Sequence, residues 1–311
     1  MALRVSLGST GLEVSPICYG SWQLSPSFWG HHPRETFLQA IRRAFEVGVN
    51  FYDTADAYGD GLAEQVLGEA LHDLPRDQIV VATKVYWHFH PDGRRYPDLS
   101  GRYILQACEA SLQRLKMDHI DLYQCHSYDP MTPMGEIVEA METLTRQGKI
   151  RFYGTSNWSV EQMRLGQAAG GRFQTIQPVY NFLQRQIEAD LLPYCQAHNV
   201  GVLVYSPLAR GLLSGKYQGD ETFQDHRANS PQFQGERFKK ICQAVASLRP
   251  IAQRYGLNIS QLVLAATLMH PAIHCAIAGI KNAQQIEEAA GAMGQTLSRE
   301  DYYQVRTALT E

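Results

Sequence analysis

The chain has 311 residues, 44% of them hydrophobic and 19% charged, with a formal net charge of -3. That balance excludes a disordered chain and carries no basic excess for nucleic acid or an anionic membrane. Its six cysteines (Cys18, Cys108, Cys125, Cys195, Cys242, Cys275) lack any Cys-x-x-Cys pair, Met1–Ser6 lacks the apolar core of a signal peptide, and no apolar run approaches the ~18 residues of a membrane span; all three point to a reduced, cytoplasmic setting.

In chain order, residues 4–7 and 12–15 flank Gly8-Ser9-Thr10-Gly11 and read as a small hairpin. Short apolar runs then predict strands near 17–20, 49–52, 79–83, 120–125, 150–155, 174–177, 202–205 and 275–278. Helical periodicity appears near 34–47, 61–71, 100–115, 133–147, 159–168, 187–198, 237–255, 259–269 and 282–291. Gly48 and Gly148 suit left-handed helix ends, and Ser100 and Ser159 suit helix starts. Residues 209–236, rich in glycine and polar groups, form the longest loop, expected to be functional or mobile.

Strands alternating with helices require parallel crossovers, and eight of them favour a (β/α)8 TIM barrel, one domain over 1–311. The N-terminal hairpin would plug its bottom. A doubly wound sheet is the alternative, but no Gly-x-Gly-x-x-Gly follows the first strand.

The strand ends carry the chemistry-bearing residues. The run 49–52 leads into Asp53, with Tyr58 five positions further along a polar loop. The next strand reaches Lys84, and the fourth reaches His126. An α/β barrel gathers such residues at one face, where an Asp, a Tyr, a Lys and a His can tune a phenol into a proton donor.

These residues resemble the aldo-keto reductase family. The likeness rests on Asp53-Thr-Ala-Asp-Ala-Tyr58-Gly, Thr83-Lys84, Asp121-Leu-Tyr-Gln-Cys-His126, Gly154-Thr-Ser-Asn157, Gln177-Pro-Val-Tyr-Asn181 and the run Tyr205 to Tyr217. It is collinear from about Leu7 to Ala292 and is nearest the bacterial and potassium-channel β-subunit-like branch. It implies NADPH-dependent reduction of aldehydes or ketones, with a cofactor-binding regulatory subunit of slow turnover as the alternative. The partner would be a small carbonyl compound; the oligomeric state is left open.

By that resemblance Tyr58 is the general acid. Lys84 lowers its pKa from the ordinary value near ~10, Asp53 keeps Lys84 charged, and His126 orients the carbonyl oxygen. Ser156, Asn157 and Gln177 match the donors and acceptors of a nicotinamide carboxamide, and Tyr205 offers a ring to stack on the nicotinamide. Gly20, Ser21 and Trp22 are further cofactor contacts. Ser206, Pro207, Leu208, Gly211 and Lys216 face the pyrophosphate, with Arg227 a further cation for it. Gly279, Ile280, Lys281, Asn282, Gln285 and Glu288 take the adenosine end, where a helix start attracts phosphate. Two positions depart from the family pattern: Ala278 where proline is common, and Ala289 where asparagine is common.

Trp22, Trp29, Tyr86, Trp87, His88, Tyr128 and Trp158 lie in or near loops after strands. Trp22 and Trp87 are the preferred substrate-pocket residues. His31-His32 and His88-Phe-His90 have neither the spacing nor the partners of a metal site, so none is expected.

Overall fold

Eight parallel strands close into a barrel in chain order: Ile17–Gly20, Phe51–Asp53, Val80–Val85, Ile120–Cys125, Ile150–Ser156, Thr175–Gln177, Gly201–Tyr205 and Cys275–Gly279. The computed structural model describes residues 3–90 and 92–310. Each strand lies within two residues of its expected ends, and the fold is a (β/α)8 TIM barrel. Among the described residues, no helix is long and apolar enough to cross a membrane.

Strand side chains alternate with a period of two, so each strand sends one set inward and the other toward the helices. Cys18, Phe51, Val80, Ala82, Leu122, Leu203, Cys275 and Ile277 form one buried cluster inside the barrel. The same alternation carries Asp53 inward two residues after Phe51, and Lys84 inward two residues after Ala82. The opposite set, including Tyr52, Val81, Tyr123, Val202 and Val204, packs against the helical ring. Helix Arg34–Glu46 shows why the ring holds: it buries Phe37, Leu38, Ala40, Ile41 and Ala44 along one stripe.

Strands Val5–Ser6 and Glu13–Val14 pair antiparallel, joined through a 3-10 turn at Gly8–Thr10. Leu7, Leu12 and Val14 join the interior cluster, so the hairpin seals the barrel's lower end. Gly8 is essential to that seat: its φ is +54°, and a Cβ there would lie 2.2 Å from the Gly201 nitrogen.

Gly48 and Gly148 both hold positive φ after their helices. Ser100 accepts a hydrogen bond from the Tyr103 amide, and Ser159 forms a reciprocal cap with Gln162.

Several elements differ from expectation. The predicted helix 237–255 is two helices, Gly235–Ala246 and Arg249–Arg254, because Pro250 restarts the chain at the head of the second. The helix expected at 187–198 shortens to Leu191–Ala197, capped by Asp190 after a 3-10 turn. A last helix, Arg299–Ala308, buries little beyond Asp301 and Val305, so it has almost no apolar stripe to read. Strands Trp87–Phe89 and Arg95–Pro97 form a small antiparallel pair beyond the third barrel strand.

Residues 209–236 are the long loop expected to be functional or mobile. They fold into 3-10 turns held by packed rings of Tyr217, Phe223, Phe233 and Phe238.

Candidate active site

Parallel strands in a barrel point their C-terminal ends to one face, and here each end places a residue at the same opening. Gly20, Asp53, Ser156, Gln177, Tyr205 and Gly279 are the last residues of their strands, Lys84 is next to last, and His126 follows directly. A single cavity of about 1240 Å³ opens above them.

At its base Lys84 is completely buried and lies beneath the wall. Its Nζ donates to Asp53 Oδ1 at 2.7 Å and to the Thr54 carbonyl at 2.7 Å, and lies 3.4 Å from the Tyr58 hydroxyl. Burial works against the ammonium, but Asp53 and Tyr58 hold its pKa above the ordinary value. The second Asp53 oxygen accepts a hydrogen bond from Gln177 Nε2 at 2.8 Å. The buried carboxylate is therefore bonded at both oxygens, the condition that makes a buried ion pair tolerable.

Tyr58 differs from expectation in one respect. Burial is the largest influence on its phenol and raises the pKa; Lys84 opposes this without reversing it. The group is thus held protonated, ready to give a proton rather than to ionise. His126 packs edge-on to the Tyr58 ring, with centroids 5.8 Å apart. Burial first, and then the Lys84 charge, push its pKa down to about 3, so the imidazole is neutral. Its buried Nδ1 has no protein partner.

Beside the phenol, Asn157 is fixed from three sides. Its Nδ2 donates to the His126 carbonyl at 3.1 Å and to Ser156 Oγ at 3.1 Å, and its Oδ1 accepts from the Tyr205 hydroxyl at 2.9 Å. Ser156 Oγ donates to the Gln177 carbonyl at 2.7 Å. Gln177, expected at the carboxamide of the cofactor, gives one amide N–H to Asp53, which leaves its second N–H and its side-chain oxygen for another group. Asn157, Ser206, Ala209 and Arg210 hold φ values of 61°, 56°, 46° and 59°. Such left-handed backbone in non-glycine residues stores strain and collects at binding sites.

Away from the tetrad the wall turns cationic. Lys216, Arg227 and Lys281 all line the cavity. Burial lowers the pKa of Lys216 and Lys281, and Arg227 lowers both further. Burial also opposes the charge on Arg227, but Asp225 and Tyr217 hold its pKa above the ordinary value. Arg227 bonds Asp225 at 2.5 Å and lies over the rings of Phe223 and Trp29. Lys281 Nζ lies 3.0 Å from His32 Nε2 and over the Trp29 ring. Clustered, partly desolvated cations with few anionic partners are in need of an anion. Gly211, at φ +92°, brings backbone close to the same place: a Cβ there would lie 3.3 Å from Lys216 Nζ.

The cavity wall includes Gly20, Ser21, Trp22, Ser206, Pro207, Leu208, Gly279, Ile280, Gln285 and Glu288. Asn282 does not line it. Its side chain instead caps helix Ala283–Ala290 by accepting from the Gln285 amide. Ala278 and Ala289 are both in the wall and offer no side-chain amide there.

Of the loop aromatics, Trp22, Trp29 and Trp87 line the cavity. Trp158 is buried against Tyr128 and Phe173, and His88 stacks on Tyr96 and Tyr103 while bonding Asp98. Among wall residues the motifs did not single out are Gln23, Phe28, Arg95, Arg210, Phe223, Asn258 and Leu264. They are scattered over 3-10 turns, short helices, the small strand pair and loops, with no shared spacing to read; for Arg95, a basic residue near the Trp87 run was the available clue.

The chain was compared with known proteins. The profile of the Aldo/keto reductase family matches residues 16–310. The chain is 37% identical to aldo-keto reductase YhdN of Bacillus subtilis, over 98% of this chain and 92% of that one. It is 34% identical to the NADH-specific methylglyoxal reductase of Escherichia coli, over 96% and 95%. It is 33% identical to a probable voltage-gated potassium channel subunit beta of Arabidopsis thaliana, over 91% and 88%. Among solved structures, the glycerol dehydrogenase of Gluconobacter oxydans superposes with a TM-score of 0.91 at 32% identity, covering 98% of this chain and 94% of that one. An aldo/keto reductase from Klebsiella pneumoniae, in complex with NADP and acetate, gives 0.78 at 30% identity, over 100% and 97%.

Proposed function

Since the chain belongs to the aldo/keto reductase family and is an NAD(P)H-dependent oxidoreductase of carbonyl compounds, we propose that it reduces aldehydes or ketones with Tyr58 as the proton donor. The observation that carries this is the buried sequence Asp53–Lys84–Tyr58, which ends in a phenol at the base of the cavity.

Each residue has a part that follows from its contacts. Asp53 keeps Lys84 charged. Lys84 stabilises the phenolate left when Tyr58 gives up its proton, so the buried phenol is a better acid than burial alone would make it. Neutral His126 donates a hydrogen bond to the carbonyl oxygen and fixes its direction. NADPH, when bound, supplies the hydride, and the protein supplies position and electrostatics.

The cavity fits such a cofactor at both ends. The fixed Asn157 amide, Ser156, the Gln177 oxygen and the Tyr205 ring receive the nicotinamide, beside Gly20, Ser21 and Trp22. Ser206, Pro207, Leu208, Gly211 and Lys216 receive the pyrophosphate, with Arg227 above. Gly279, Ile280, Lys281, Gln285 and Glu288 receive the adenosine. Residues 1–311 act as one catalytic unit, and six free, buried cysteines suit a reducing cytoplasm.

The test is NADPH oxidation with a panel of carbonyls that includes 4-nitrobenzaldehyde and methylglyoxal. Saturable turnover supports the reductase. Tight NADPH binding with negligible turnover across the panel contradicts it and favours a regulatory role like that named for the Arabidopsis relative.

A further inference from the structure

Arg95 stands apart from the other cations of the cavity wall. Lys216, Lys281 and Arg210 gather around Arg227 and feel its charge. Arg95 belongs to the small antiparallel pair beyond the third barrel strand, opposite Phe89, in the register that sets Trp87 against Pro97. It lines the cavity in company with Trp87. Its guanidinium is held from two sides, by an ion pair to Asp60 and by the Phe89 ring 5.1 Å from the guanidinium carbon. Asp60 is only two residues past Tyr58, so the ion pair ties Arg95 to the loop that presents the proton donor. Asp60 is the more exposed partner, 63% against 40%, and does not line the cavity. The carboxylate anchors from the solvent side while the cation faces the opening.

A guanidinium carries five donors in a rigid fork, and Asp60 engages one nitrogen. Donors remain for a planar anion arriving at the cavity mouth. At the base, Asp53 is already bonded by Lys84 and Gln177, so the carboxylate that competes for Arg95 is Asp60, on the solvent side.

We propose that Arg95 is a specificity-determining residue that selects carbonyl substrates bearing a carboxylate. The proposal rests on the reductase reading above. The substrate class is a small oxo acid: the carbonyl oxygen lies between Tyr58 and His126, and the carboxylate meets Arg95 at the rim. Arg95 takes no part in the chemistry, so it acts on KM rather than on kcat.

The experiment compares 4-carboxybenzaldehyde with its methyl ester, and 4-oxobutanoate with its methyl ester, at saturating NADPH and low salt. Within each pair the carbonyl is kept and the charge removed. The native protein is expected to prefer each acid, with kcat/KM about ten-fold above its ester, as befits a charge-assisted hydrogen bond at a partly exposed site. In Arg95→Met that preference disappears through KM, while kcat/KM for the esters stays within about two-fold of native. Asp60→Asn keeps a residue type that accepts the positive φ of 57° and removes the competing carboxylate; its acid preference should rise above native. Equal use of acid and ester by the native protein, or an acid preference that survives Arg95→Met, overturns the role of Arg95 and leaves the reductase standing. Failure of the native protein to reduce any of the four while 4-nitrobenzaldehyde is reduced overturns the role of Arg95 alone; failure with all five overturns both readings.

Discussion

At the scale of single residues, the site depends on a charge kept where water does not reach. Among the described residues Lys84 is the only ammonium touching Tyr58, and Asp53 answers it at 2.7 Å. Lys84→Met removes the cation and leaves Asp53 buried with only Gln177. Breaking a buried pair on one side costs about 3–5 kcal/mol, and protonation of the carboxylate relieves part of that. Carbonyl reduction should fall steeply, and urea denaturation should show lost stability. A stable, active Lys84→Met protein would place Lys84 outside the site.

The pH response follows from the same contacts. The Tyr58 phenol is raised above its ordinary value near ~10, so it stays protonated through neutral pH. His126, pushed down to about 3, stays neutral over that range. The kcat/KM for reduction should show no ionisation of either group between about pH 5 and 9. An inflection near pH 6.5 that vanishes in His126→Gln would contradict the neutral imidazole. Lys84 adds a stability term of definite sign. Its pKa is raised on folding, so its contribution is complete below the ordinary lysine value and is lost only as pH rises through the higher folded value.

At the scale of elements, the strands and their ends are legible in the sequence because two constraints coincide there. A buried parallel strand reads as a short apolar run, and a functional residue stands out where the run stops. Asp53, Lys84, His126, Gln177 and Tyr205 were each visible in that way. Partnerships between distant segments were not. Gln177 reaches Asp53 across 124 positions, and nothing local in the sequence marks that bond. The loop 209–236 reads as functional or mobile, and its internal order is not legible because it comes from packing against Phe238 and Trp29, contacts made outside its own segment. Helix Arg299–Ala308 went unread for lack of an apolar stripe, although Ser298, whose side chain accepts from the Asp301 amide, marks its start.

The hairpin is the element whose seat is most open to test. Gly8→Ala would force a side chain into a positive φ and against the Gly201 backbone. Positive-φ strain alone costs about 1–3 kcal/mol, and the clash adds to it. The melting temperature should drop, with KM for a carbonyl substrate unchanged, because the hairpin closes the end of the barrel away from the site. A changed KM with an unchanged melting temperature would contradict that separation.

At the scale of the whole molecule, the cavity has a chemical end and a cationic end, and the barrel holds them in fixed relation. The cationic end bears on cofactor choice. NADPH differs from NADH by a 2′-phosphate, and Lys281 stands before helix Ala283–Ala290 with Arg227 near it. No acidic residue lies in the stretch 279–283 to take a free 2′-hydroxyl. The Kd should be lower for NADPH than for NADH, and Lys281→Glu should reduce or reverse the difference. Equal Kd values in the native protein at low salt would refute this part for Lys281. The Escherichia coli relative is named NADH-specific.

The most direct measurement on the central claim is the turnover of Tyr58→Phe, which deletes one hydroxyl and keeps the ring that packs on His126. With NADPH and 4-nitrobenzaldehyde, kcat should fall ~10²-fold or more, the range for loss of a general acid, while the Kd for NADPH and the melting temperature stay close to native. Near-native kcat in a folded, NADPH-binding Tyr58→Phe protein would contradict the assignment of Tyr58 as proton donor.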